Sequence, residues 1–175
     1  MKRFALTFYL LVIVFINIQA QNLDSIYLDK VSSLDQTLKN LYSVISGEKG
    51  EERNWELFQY LFHPEAKLIP SWNTPNGKVG AKYLSPKDYI ETSGKWLLEN
   101  GFFEKEIYRT SNTFGPVCQV FSTYESYHSM DEKQPFMRGI NSIQLLYDGT
   151  RWWIINIYWT QETKENPIPV NYLPK

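Results

Sequence analysis

The sequence predicts an α+β domain in which helices come first and an antiparallel meander of long strands follows. Three observations carry that expectation. An apolar stripe recurs at three- and four-residue steps from Leu23 to Ile45. The segment Ser85-Pro86-Lys87-Asp88 has the residues of a helix start. From Phe102 onward helix signals stop, and four runs rich in aromatic and β-branched residues close on a hairpin around Asp148-Gly149, Phe136 to Glu162.

The first residues are set aside before the fold is read. Met1-Lys2-Arg3 is a basic start, Phe4 to Ile16 is apolar apart from Thr7, and Asn17-Ile18-Gln19-Ala20 ends on a small residue. This is the pattern of a secretory signal peptide over residues 1–20. The apolar run is short of the roughly 20 residues that span a bilayer. The mature chain is therefore expected in the periplasm or outside the cell, with no membrane attachment after cleavage. Residues 21–163 are expected to form one domain and 164–175 a C-terminal tail. The 175 residues fit a single core, and no repeat or linker-like stretch divides them.

Cys118 is the only cysteine, so the mature domain must be held by its core rather than by a disulfide. Its neighbours Val117, Val120 and Phe121 suggest a buried strand thiol. Loss of Lys2 and Arg3 with the leader moves the formal charge from −1 to −3, and no basic run exists in the rest. Nucleic acid is accordingly not an expected partner.

Each element has its own signal. The first helix carries Leu23, Ile26, Tyr27, Val31, Leu34, Leu38, Leu41, Tyr42 and Ile45 on one stripe, and Gly47 suits the left-handed residue after a helix end. Asn54 fits the N-cap of a short second helix with Trp55, Phe58, Leu61 and Phe62 inward, ended by Pro64. Short strands are expected at Ala66 to Pro70 and Lys78 to Tyr83, joined by Thr74-Pro75-Asn76-Gly77. In the third helix Ser85 is the N-cap, Pro86 the first helical residue and Asp88 a first-turn acid; Asn100-Gly101 ends it. The long strands are expected at Phe102 to Thr113, Val117 to Met130, Phe136 to Tyr147 and Arg151 to Gln161.

A further signal lies in the strands themselves: Ser122-Thr123-Tyr124-Glu125-Ser126, then Arg138-Gly139-Ile140-Asn141-Ser142-Ile143-Gln144-Leu145, then Asp148-Gly149 and Arg151-Trp152-Trp153-Ile154 through Trp159. In this order of elements and motifs the chain resembles the nuclear transport factor 2-like superfamily, with its SnoaL-like domains. The resemblance implies a cone-shaped fold: a strongly bent antiparallel sheet around three N-terminal helices, with a pocket at the open end. It also implies a wide choice of roles, since that superfamily holds isomerases, dehydratases, epoxide hydrolases and cyclases beside members that only bind or dimerise. The fold alone does not select among them.

If Asp148-Gly149 is a two-residue turn, Tyr147 pairs with Thr150, Leu145 with Trp152, Ile143 with Ile154 and Asn141 with Asn156. Alternation then sets Asn141, Ile143, Leu145, Trp152, Ile154, Asn156 and Tyr158 on one face, expected to look toward the helices. Arg138, Ile140, Ser142, Gln144, Trp153, Ile155, Ile157 and Trp159 lie on the other. SnoaL-like relatives often place histidines or acids where this chain has Asn156 and Tyr158. Neither of these is a strong base, which weakens a catalytic reading.

The expected ligand site is an aromatic pocket built from Trp55, Phe58, Tyr124, Asn141, Asn156 and Tyr158, suited to a small apolar molecule with polar groups. The catalytic candidates are Glu125 or His63 as base, with Tyr124 or Tyr158 polarising a substrate. Glu125 can equally pair with Arg138 or Arg109, and His63 can cap a helix end. His128 is expected in solvent, Asp35 at the edge of the first helix stripe. No metal is expected from two His, one Cys and scattered acids, and no cofactor motif is present. Three functions remain open: an exported small-molecule-binding protein, an isomerase, dehydratase or cyclase-like enzyme, and a homodimer joined through Trp153, Ile155, Ile157 and Trp159.

Overall fold

A computed structural model of the chain describes residues 23–175; the expected leader lies outside the described residues. The stripe from Leu23 to Ile45 is not one helix. Residues 23–27 are helical and pass into a 3-10 turn, Leu28–Lys30, before helix α1, Leu34–Ile45, begins. The break has a long-range cause. The Val31 carbonyl accepts the Trp152 amide at 2.9 Å instead of an amide of its own helix. Ser33 then caps the new start, its hydroxyl accepting from the Gln36 amide at 3.2 Å. Leu38, Leu41, Val44 and Ile45 bury the inward face of α1.

Gly47 is not the left-handed residue of a helix end. It pairs with Phe102 through two backbone hydrogen bonds of 2.8 and 3.0 Å. The connection after it is organised by Arg53, a buried cation whose guanidinium donates to the carbonyls of Ile45 at 2.9 Å, Gly47 at 2.7 Å and Leu97 at 3.2 Å. Ile45 and Leu97 lie in the last turns of two helices, where carbonyls lack an intrahelical partner, and the Gly47 carbonyl also accepts from the Phe102 amide. Helix α2, Trp55–Leu61, has Asn54 as its cap, accepting from the Leu57 amide at 2.8 Å. Helix α3, Pro86–Asn100, starts in the capping box of Ser85 and Asp88 and ends at Gly101, φ 71°. Among the described residues no helix is long and apolar enough to cross a membrane.

Among the described residues six strands form one curved, unclosed sheet: β1, Phe62–Asn73; β2, Val79–Ala81; β3, Phe103–Phe114; β4, Val117–Tyr127; β5, Met137–Tyr147; and β6, Trp152–Gln161. The order across it is β2-β1-β6-β5-β4-β3. Neighbours are antiparallel except β1 and β6, which run parallel, so the sheet is mixed where a purely antiparallel one is expected. The α+β class and the helix-on-sheet packing are as the sequence implies. Cys118, Val120, Ile143, Leu145 and Ile154 bury the helix-facing side of the sheet against Leu38, Leu41, Phe58 and Leu61.

The closing hairpin differs from its expected register in two places. The connection is four residues, Asp148 to Arg151, because Tyr147 pairs with Trp152. Asp148 holds it: its carboxylate accepts from the Thr150 amide at 2.8 Å, the Arg151 amide at 2.9 Å and the Trp153 indole at 2.6 Å. Within this connection only Gly149 has positive φ, 101°. Further along, Leu145 pairs with Ile154 but Gln144 with Asn156, so Ile155 is an extra residue in β6. The bulge reverses the alternation. Ile157 and Trp159 turn toward the helices, and Asn156 and Tyr158 turn away.

Past β6 the chain folds back over the outer side of the sheet. Ile168 is buried, its amide donating to the Glu162 carboxylate at 2.9 Å. The Tyr172 carbonyl accepts from the Thr123 hydroxyl at 2.6 Å, and its ring meets Phe121 edge-on at 4.9 Å.

Candidate functional site

The parity of β4 and β5 and the bulge in β6 decide which side chains meet between sheet and helices. There they leave a cavity of about 210 Å³, walled by Leu41 of α1, Phe58 of α2, Tyr89, Trp96 and Leu97 of α3, and Trp159 of β6. Six of the fifteen lining residues are aromatic. Phe58 stacks on Tyr89 with ring centres 5.3 Å apart, and Trp96 meets Phe102 edge-on at 6.1 Å. Trp96 is 45% exposed and stands at the edge of the opening.

Polar groups enter this cavity from the sheet. Tyr124 on β4 is 1% exposed, and its hydroxyl has no hydrogen-bond partner. A buried hydroxyl without a partner is costly and uncommon. Glu104 on β3 lines the same cavity. Its carboxylate accepts from the Asn141 amide at 3.4 Å and the Ser126 hydroxyl at 3.2 Å. Burial pushes the Glu104 carboxyl up to about 7, more than those two donors hold it down. Burial first and the Glu104 charge second raise the Tyr89 and Tyr124 hydroxyls well above the phenol range, so both stay protonated at neutral pH.

Asn141 is oriented from behind. Its amide nitrogen also donates to the Tyr42 hydroxyl at 3.1 Å, and that hydroxyl shares a 2.6 Å hydrogen bond with Ser122. Ser122 donates to Glu106 at 2.5 Å, Glu106 pairs with Arg109 at 3.3 Å, and Arg109 pairs with Asp35. The chain of contacts runs from the cavity to solvent and fixes which face of the Asn141 amide meets Glu104.

Of the residues expected in a ligand site, Phe58, Tyr124 and Asn141 line the cavity. Trp55 does not; it packs edge-on against Phe58 at 5.6 Å, with its indole over Gly94. Asn156 and Tyr158 lie on the opposite side of the sheet, moved there by the bulge at Ile155. The same bulge takes Ile157 and Trp159 out of the expected dimer face, leaving Trp153 and Ile155. Tyr158 instead borders an outer groove of about 290 Å³ beneath the tail, with Phe121, Ile140 and Tyr172.

The expected bases are also outside the cavity. Glu125 faces outward, accepts from the Tyr127 hydroxyl at 2.6 Å and lies 3.9 Å from the Arg138 guanidinium. His63 heads β1 beside Trp153, and its Nδ1 accepts the Glu65 amide at 3.2 Å. His128 is exposed, as expected, and stacks flat on Phe136 with ring centres 3.9 Å apart. The acid of the cavity, Glu104, was not singled out by the sequence. Its segment, Phe103-Glu104-Lys105-Glu106, alternates like any half-exposed strand, and only its pairing with Ser126 shows which side Glu104 takes. Among the described residues no three His, Cys, Asp or Glu side chains converge in a way that could hold a metal ion.

No protein-family profile matches the chain, and no curated protein does. Solved structures do. One is a protein of unknown function with a cystatin-like fold from Nostoc punctiforme PCC 73102, at TM-score 0.57 and 8% identity over 75% of this chain and 90% of that one. Another is a nuclear transport factor 2 (NTF2-like) superfamily protein from Salmonella enterica serovar Typhimurium LT2, at TM-score 0.54 and 15% identity over 83% and 96%. A third is an NTF2-like protein of unknown function from Silicibacter pomeroyi DSS-3, at TM-score 0.50 and 13% identity over 74% and 92%. At such identities the likeness speaks for the fold and not for a shared activity. The curved sheet, the helices packed on one side of it and these matches agree: the chain has the nuclear transport factor 2-like fold.

Proposed function

We propose that this chain binds a small, largely apolar molecule in the cavity between its helices and sheet, with a polar group of that molecule held at Tyr124, Glu104 and Asn141. The observation that carries the reading is the Tyr124 hydroxyl, buried, unpartnered and set in an aromatic-lined cavity beside the half-buried Glu104 carboxyl. A ligand that supplies the missing hydrogen bond would remove a penalty the empty protein bears. The leader-like residues 1–20 support a meeting with that ligand in the periplasm or outside the cell.

Native mass spectrometry of the protein purified from its own host tests this. The expected result is an added mass of a few hundred daltons or less, lost on denaturation and weakened by Tyr124→Phe. Protein recovered at its bare mass, with the aromatic cavity unable to take up any apolar probe, would end the reading.

A second reading rests on the Glu104 carboxyl itself. A carboxyl held at about 7 is matched to proton transfer at neutral pH, and a protonated Tyr124 hydroxyl in the same cavity could polarise a carbonyl. That would make the chain an isomerase or dehydratase-like enzyme with Glu104, not Glu125 or His63, as base. Incubating the retained molecule with the protein in deuterated water separates the two readings. Deuterium at carbon, lost in Glu104→Gln, is the catalytic outcome; unlabelled ligand leaves binding alone.

A further inference from the structure

The cavity has one sign of charge. None of its lining residues is Lys, Arg or His, and Glu104 is the ionisable acid among them. The cations nearest to that strand are engaged elsewhere. Arg109 is paired with Glu106 and Asp35, and the Lys105 ammonium lies over the Tyr127 ring at 5.1 Å. Lys39 on α1 is exposed to solvent. Glu104 therefore has hydrogen-bond donors, Asn141 and Ser126, but no counter-charge. Both donors are arranged for an ionised carboxylate, which can accept from several directions at once.

The aromatic wall has the same polarity. Phe58, Tyr89, Trp96, Phe102 and Trp159 line the cavity, and ring faces attract a cation through their quadrupoles. The Tyr124 oxygen adds an acceptor with no donor assigned to it. A carboxylate without a counter-charge, an acceptor without a donor and a wall that includes five further aromatic rings share one complement.

We infer that the cavity selects a small hydrophobic amine in its ammonium form, its nitrogen held by the Glu104 carboxylate and the Tyr124 hydroxyl, its hydrocarbon body against the aromatic wall. The inference rests on the reading of this cavity as a ligand site and names the chemical class of the ligand. An anion of the same shape would meet Glu104 as a like charge. A neutral alcohol would find hydrogen bonds but leave the carboxylate uncompensated.

Three matched probes test it: 2-phenylethylamine, 2-phenylethanol and phenylacetate, titrated into the protein at pH 8 with calorimetry or tryptophan fluorescence as the readout. The amine should bind about tenfold or more tighter than the alcohol, and phenylacetate weakest of the three. In Glu104→Gln the advantage of the amine over the alcohol should vanish. The comparison on the unaltered protein stands whether or not that variant folds. An alcohol bound as tightly as the amine overturns the amine assignment and leaves the cavity as a site for neutral ligands. An amine preference that survives Glu104→Gln overturns the role given to Glu104. Failure of all three probes to bind overturns both the amine and the ligand site on which it depends.

Discussion

The two sides of the sheet carry glutamates on adjacent strands, and the pair shows what one step of parity does. Glu104 on β3 pairs with Ser126, while its neighbour Lys105 pairs with Glu125 on β4. Glu104 points to the helices and meets Tyr124 and Asn141 in an aromatic cavity, where burial pushes its carboxyl up to about 7. Glu125, one register step away, points outward and takes Tyr127 and Arg138 as partners. Burial raises the Glu162 carboxyl, but the Arg138 hydrogen bond at 2.7 Å and the Ile168 amide outweigh it and keep the group below its usual range. The same side chain is an uncompensated acid on one side and a member of an ion-pair cluster on the other. Position along the strand, not residue type, separates a candidate functional acid from a structural one.

Four substitutions probe that difference. The largest effect is expected where the inner side has no room. A Cβ at Gly139 would lie 2.4 Å from the Thr160 carbonyl and 2.5 Å from the Tyr124 hydroxyl. Gly139→Ala should therefore destabilise the protein by about 3 kcal/mol, read by urea denaturation. A cost near zero would mean that β5 and β6 separate easily and that the cavity wall is soft.

Glu104 comes next, and its effect depends on pH. Its folded value of about 7 lies above the ordinary 4.5, so the folded protein binds the proton more tightly than the unfolded chain. The penalty is absent below pH 4.5 and grows until the pH has risen through 7. Glu104→Gln should thus leave stability unchanged at pH 4 and raise it at pH 8 by about 1–3 kcal/mol. Thermal unfolding at the two pH values checks the sign. A variant less stable at pH 8 would show that Glu104 has a counter-charge after all.

Tyr124→Phe deletes a buried hydroxyl that bonds to nothing. The expected gain is about 1 kcal/mol in the absence of ligand, measured by the same denaturation series. Loss of stability would assign the hydroxyl a partner. Smallest is Glu125→Gln on the outer side, a half-exposed pair 3.9 Å from Arg138, where about 0.5 kcal/mol or less should be lost. If it matched Glu104→Gln in size with opposite sign, the outer cluster would hold the fold together more strongly than its geometry indicates.

Much of the fold was legible. The capping box at Ser85, the cap at Asn54 and the four long strands stand where local chemistry puts them, because a cap or an alternating run needs only its near neighbours. The apolar spacing continues through Val31 and so predicts one continuous first helix. What interrupts it is the amide of Trp152, more than a hundred residues away in sequence. The site was legible only in part, for a similar reason. Phe58 follows from helical spacing and Tyr124 and Asn141 from alternation on unbroken stretches, whereas Asn156, Tyr158, Ile157 and Trp159 lie beyond a bulge with no residue signature of its own. Glu104 was missed because an acid in an alternating strand reads as solvent-facing until its cross-strand partner is known.

The sequence by itself determined the α+β order, the helix starts, the strand runs and an aromatic inventory large enough to line a cavity, all of them consequences of interactions between residues close along the chain. Tertiary structure decided the parallel pairing of β1 with β6, the extra residue at Ile155 and the side of the sheet on which each polar group lies. Those choices are made by register. A shift of one residue costs little within a strand and reverses everything the strand presents, so only the packed sheet could set Glu104 beside Tyr124 and leave Glu125 to Arg138.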